Sequence, residues 1–235
     1  MKIEALLFDC GGVIVAPATC DWMLPPEAGE ILGEDFVEKH HGAFKAAKRA
    51  VHHLLPDEML MFTDKEEYEQ LKIYYAAVFE RMGFPADEET VDALSRAQAF
   101  GDERYAFFDD VLPSFGKWKE KYSLGLVSDA PPSLGRIMTV KGVRAHTKAC
   151  ALSCEVGHIK PHPDMYMTAL RQLGLPPEKA LYVDDLPEKL AGAKALGIYC
   201  VQMRRQMPKG FDPAPLWDGP AVGSFAELDG MLKEM

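Results

Sequence analysis

Five short apolar runs, most of them stopped at the carboxyl end by an acid or a hydroxyl, constrain this chain more than any other feature. Ile3 to Phe8 ends in Asp9-Cys10-Gly11-Gly12, Leu124 to Val127 in Ser128-Asp129, and Ala149 to Leu152 beside Ser153. Ala180 to Val183 ends in Asp184-Asp185, and Ile198 to Val201 beside Gln202. Runs of this size, apolar on both faces and bounded by glycine or polar residues, read as buried parallel strands. Helical patterns lie between them, as in Tyr166, Ala169, Leu170 and Leu173 before the stop at Gly174. Such alternation implies an α/β protein, a doubly wound parallel sheet with helices on its faces.

The stretch after the first strand has a different period. Val37, His40, Phe44, Ala47, Val51 and Leu54 follow helical spacing, with His40 expected on the packed face. So do Tyr68, Leu71, Tyr75, Val78 and Met82, and then Val91, Leu94 and Ala97. An α-helical domain at 17-107 is therefore expected to interrupt a sheet domain formed by 1-16 and 108-235. The 235 residues are enough for a full core plus such an insert. Lys45, Lys48 and Arg49, between His40-His41 and His52-His53, read as a solvated basic helix face. Pro208 to Pro220 reads as a loop before a C-terminal helix over Phe225 to Lys233.

A formal net charge of −10 argues against nucleic acid and anionic lipid as partners, since both repel such a surface. No apolar run approaches the ~18 residues of a membrane span. The run after Lys2 is broken by Asp9 and Gly11-Gly12, so it does not read as a signal peptide. The five cysteines are odd in number and none has the spacing of a zinc knuckle, which suits reduced thiols in a cytoplasmic protein.

In open parallel sheets, ligands bind beyond the carboxyl ends of the strands. This chain places Asp9, Ser128, Asp129, Asp184 and Asp185 there, with Lys160 in the loop Gly157-His158-Ile159-Lys160-Pro161. Alone, each has an ordinary explanation: a turn, a helix cap, a solvated lysine. Together, the carboxylates need neutralising charge, which Lys160 and a Mg²⁺ ion would supply through the oxygen ligands that Mg²⁺ prefers.

Four segments, in order, carry a resemblance. They are Leu7-Phe8-Asp9-Cys10-Gly11-Gly12-Val13-Ile14, Leu126-Val127-Ser128-Asp129, Gly157-His158-Ile159-Lys160-Pro161, and Tyr182-Val183-Asp184-Asp185 with Ala193-Lys194-Ala195-Leu196-Gly197. The chain resembles haloacid dehalogenase-superfamily hydrolases with a helical cap and a Rossmann-like core. The resemblance implies that Asp9 is the nucleophile and forms an aspartyl intermediate. It implies that Ser128 and Lys160 hold phosphoryl oxygens, with Gly12 and Asp129 also lining the substrate site. Asp9, the backbone carbonyl of Gly11, Asp184 and Asp185 would hold Mg²⁺. The cap would set specificity by closing over the site.

Three positions depart from the usual pattern. Gly11 stands where phosphatases of the family carry a second Asp, the general acid–base, a loss worth about 10²–10⁴-fold. Asp129 replaces the more usual Asn, adding negative charge near the phosphate unless it is paired. Lys189 also stands where relatives often have Asn, and reads as a surface helix residue. The expectation is a Mg²⁺-dependent phosphatase of a small phosphorylated metabolite, monomer or homodimer. The alternatives are a dehalogenase, which also lacks the second Asp but usually lacks the acidic pair, and a silent ligand-binding relative.

Overall fold

The computed structural model describes residues 2–55, 60–209, 211 and 213–235. They form two compact units, one of Met1–Ala16, Ala106–Ala130 and Leu134–Met235, the other of Pro17–Tyr105 and Pro131–Ser133.

The first unit is built on a six-stranded sheet. Its strands are β1 (Ala5–Phe8), β4 (Ser123–Ser128), β5 (Ala149–Leu152), β6 (Ala180–Asp184), β7 (Tyr199–Met203) and β8 (Ala221–Val222). The order is β5-β4-β1-β6-β7-β8, and every pairing is parallel. β1 is fully buried at the centre, which explains why Ala5-Leu6-Leu7-Phe8 carries no polar alternation. Its register sets Phe8 beside Leu126 and Val183, so the chain leaves β1, β4 and β6 at one level. The helices are α5 (Val111–Trp118), α6 (Pro132–Val140, whose first two residues group with the other unit), α7 (Ser153–Val156), α8 (Pro163–Leu173), α9 (Pro187–Ala195) and α10 (Phe225–Glu234). Ala5 and Leu7 pack on one face with Met165, Tyr166, Leu190 and Ala193 of α8 and α9. On the other face Phe8 stacks on Trp118 at 5.8 Å and meets Phe115 and Phe225 of α5 and α10. Helices on both faces make the sheet doubly wound, as the alternation implied.

The second unit is helical: α1 (Ala28–Leu32), α2 (Phe36–Val51), α3 (Asp64–Met82) and α4 (Glu88–Phe100). Thr63 and Glu66 form a capping box that starts α3, and Gly83, at φ 64°, ends it. Phe36, Phe44, Tyr75, Phe79 and Leu94 lie in its core. Val37, read as part of the α2 stripe, is exposed; Phe36 takes that place, and His40 is half-buried against Phe36 and Phe84. Lys48 is not solvated either: its ammonium bonds to buried Asp21, which also lies 3.4 Å from His41. Two short strands, β2 (Val15–Pro17) and β3 (Tyr105–Phe107), pair with each other. Among the described residues, no helix is long and apolar enough to cross a membrane.

Candidate active site

Each predicted residue of the sheet unit lies at the carboxyl end of a strand or just beyond it, except Lys160, which lies in the loop between α7 and α8. Asp9 extends β1, its N–H donating to Val183 at 2.9 Å. The Cys10 carbonyl then accepts from Ile14 and Val15, a tight turn that needs the left-handed backbone of Gly12 at φ 69°. A Cβ on Gly12 would stand 2.5 Å from Asp185 Oδ2, so glycine also leaves room for that carboxylate. Ser128 ends β4 and is buried. The segment beyond it is held by Ser153, whose hydroxyl accepts from Ala130 N–H at 2.9 Å.

Lys160 joins the site across 151 positions of sequence. Its Nζ is 2.7 Å from Asp9 Oδ1 and 2.7 Å from Asp184 Oδ2, and only 2% of the residue is exposed. Nζ also donates at 3.0 Å to the Tyr182 hydroxyl, which in turn donates to Asp184. Asp184 Oδ1 accepts from Leu186 N–H at 2.8 Å, turning the chain into α9. Gln202 Nε2 donates to the Asp185 carbonyl at 2.9 Å and fixes the backbone there.

One lysine does not balance these acids. Burial pushes the Asp9 carboxyl up to about 6, with Lys160 opposing and Asp184 adding to the rise. Burial, then repulsion from Asp9 and Asp184, pushes Asp185 up to about 8. Burial would discharge Lys160, but Asp184 and Asp9 outweigh it and hold the ammonium charge. Oxygens of Asp9, Asp184 and Asp185 lie within 4.8 Å of one another. An all-oxygen, acid-rich set of this kind fits a hard divalent cation such as Mg²⁺.

Lys189 corrects the sequence reading, and with it Asp129 meets the condition of being paired. Lys189 is not a surface residue: its side chain is 13% exposed and its Nζ is 3.3 Å from Asp129 Oδ2. Asp129 is thus paired, and its Oδ1 accepts from Lys160 N–H at 2.7 Å. Tyr182 and Gln202 were not singled out as site residues, because a tyrosine or glutamine within an apolar strand has no local mark of where its polar end points. A second cluster, His158, His162 and Asp164, lies nearby in sequence. Its imidazoles stack at 3.7 Å, and His162 accepts from Asp164 N–H as the N-cap of α8. All five cysteines are free, four of them buried.

Residues 3–197 match the haloacid dehalogenase-like hydrolase family, and the chain belongs to it. The chain is 28% identical over 147 residues to glyceraldehyde 3-phosphate phosphatase of Methanopyrus kandleri, covering 60% of this chain and 62% of that one. It thus spans less than two thirds of that relative's length. L-2-haloacid dehalogenase of Xanthobacter autotrophicus shares the fold over 100% of both chains, with a TM-score of 0.67 at 16% identity. The magnesium-bound HAD-hydrolase YfnB of Bacillus subtilis shares it over 99% of both, with a TM-score of 0.64 at 15% identity.

Proposed function

We propose that this hydrolase is a Mg²⁺-dependent phosphatase of a small phosphorylated metabolite, acting through an aspartyl-phosphate at Asp9. One observation carries the reading: three buried or half-buried carboxylates cluster together, and the one buried lysine among them pairs with only Asp9 and Asp184. Displacing halide from carbon needs the carboxylate of Asp9 but no cation, so Asp184 and Asp185 would only be a burden there. A silent binding protein would have no use for them either.

Asp9, the Gly11 carbonyl, Asp184 and Asp185 would hold the ion, which when bound neutralises charge on the phosphoryl oxygens. Lys160 and Ser128 bind and orient those oxygens. The Asp9 carboxylate attacks phosphorus, and the bond from phosphorus to the leaving oxygen breaks with its electron pair. Water then releases phosphate and regenerates Asp9. Gly11 offers no proton to the leaving oxygen, so substrates whose leaving group is a weak base fit best, such as acyl or anomeric phosphates. The net charge of −10 suits a small substrate held by local cations rather than a nucleic acid or a membrane. The free cysteines suit a cytoplasmic protein.

The test is hydrolysis of acetyl phosphate and p-nitrophenyl phosphate with and without Mg²⁺, with Asp9→Asn as control. Mg²⁺-dependent phosphate release that disappears in the variant is expected. Release of chloride from 2-haloacids without phosphatase activity would overturn the proposal.

A further inference from the structure

Asp129 and Lys189, the two charged departures from the family's usual Asn residues, meet each other at Lys160. Asp129 Oδ1 accepts from the Lys160 N–H at 2.7 Å, and Lys189 Nζ donates to the Lys160 carbonyl. Lys189 Nζ and Asp129 Oδ2 are 3.3 Å apart, which closes the set. One ion pair therefore holds both polar groups of a single backbone residue. Each bond is charge-assisted and stronger than the bond a neutral amide would make. The pair is itself anchored. Ser153 holds the residue after Asp129, and the Tyr166 hydroxyl donates to the Lys189 carbonyl at 2.7 Å.

We infer that the Asp129–Lys189 pair is a clamp that positions Lys160, a role that rests on Lys160 binding the phosphoryl group as proposed above. The Lys160 ammonium sits 2.7 Å from two carboxylates and has little freedom to reach them from a displaced backbone. The clamp also joins the loop that carries Lys160 to α9, the helix that follows Asp184-Asp185. Lys189 further cancels the charge of Asp129, which would otherwise repel a phosphate beside Ser128. Both are positioning residues, and neither needs to touch the substrate.

The test compares Lys189→Gln, Asp129→Asn and the double variant, with acetyl phosphate and Mg²⁺. Misplacement of a binding group by about 1 Å can cost 10²-fold, so Lys189→Gln is expected to lower kcat about 10–100-fold. KM should rise as well, because Asp129 is left as an unpaired anion. Adding Asp129→Asn to Lys189→Gln should recover about tenfold, the sign of a coupled pair. An unchanged kcat in Lys189→Gln, or a double variant no better than the single, overturns the clamp. Amide hydrogen exchange at Lys160, read by NMR, needs no turnover: exchange about tenfold or more faster in Lys189→Gln is expected. An unchanged exchange rate overturns the clamp whatever the activity. Faster exchange in a chain without phosphatase activity overturns the phosphatase reading and leaves the clamp standing.

Discussion

The helical unit buries Glu67 and Arg104 3.0 Å apart and completes the pair with Ser133, whose N–H and hydroxyl both donate to the same carboxylate. The sheet unit buries Asp9 and Asp184 with Lys160, adds a half-buried Asp185, and supplies no second cation among them. The first arrangement is closed. Charge is matched one to one, and the carboxylate accepts from Arg104 and twice from Ser133, so no unmatched charge is left there. The second is open, and two of its carboxyls are pushed far above the ordinary carboxylate range. Buried charge alone therefore does not mark a site. Unmatched charge does, because it persists only where something that binds restores the balance.

If this contrast holds, neutralising one charge should have opposite consequences in the two units. Asp9→Asn should reduce turnover by at least ~10³-fold, since it removes the nucleophile. It should leave the melting temperature unchanged or raised, because it relieves a crowded carboxylate. Glu67→Ala should instead strand Arg104 in the interior. Breaking one partner of a buried pair costs about 3–5 kcal/mol. For a chain of this length that is a fall in Tm of roughly 6–20 °C. Thermal melts and turnover on the same preparations separate the two. A lower Tm in Asp9→Asn or an unaltered Tm in Glu67→Ala would break the comparison.

How much could be read beforehand follows the same division. The central strands and Asp9, Ser128, Asp184 and Asp185 were legible because these residues sit at the ends of three apolar runs, a local signal. Lys160 was legible only as part of an ordered pattern of segments. What was not legible depends on partners distant in sequence. Glu67 and Arg104 are 37 positions apart, and nothing near either one foretells the other. The pairing of Lys189 with Asp129 was missed for the same reason, and so was that of Lys48 with Asp21. β2, β3 and β8 have three, three and two residues, too few to show a strand period.

The open arrangement should also respond to pH and cation together. Asp9 and Asp185 have carboxyls raised from 3.8 to about 6 and about 8. Between about pH 4 and 8 the folded chain thus holds protons that the unfolded chain has released. Without divalent cation, the stability from these groups is full below that window and is lost as pH rises through it. Mg²⁺ should reverse the loss, so its stabilising effect should be larger at pH 8 than at pH 5. At about 100 times Kd the gain is ~2.7 kcal/mol, or roughly 5–10 °C in Tm. Asp185→Asn should flatten both the pH slope and the Mg²⁺ response. Equal Mg²⁺ shifts at both pH values would falsify the assignment of the imbalance to these carboxyls.

The smallest expected effect concerns the proton the site lacks. Gly11 does not have the left-handed backbone of Gly12, so a side chain at position 11 meets no conformational penalty of that kind. Gly11→Asp should therefore fold and place a carboxyl two residues beyond Asp9. A general acid matters in proportion to the basicity of the leaving oxygen. Hydrolysis of an alkyl phosphate should change by about tenfold or more, while acetyl phosphate, whose leaving group needs no proton, should change little. The ratio of the two kcat/KM values is the measurement, because it cancels any general disturbance of the site. A raised ratio means that position 11 limits which phosphates this chain can cleave. An unchanged ratio means that the proton reaches the leaving oxygen by another route, so the open charge of the site governs phosphate binding alone and Gly11 has no part in substrate choice.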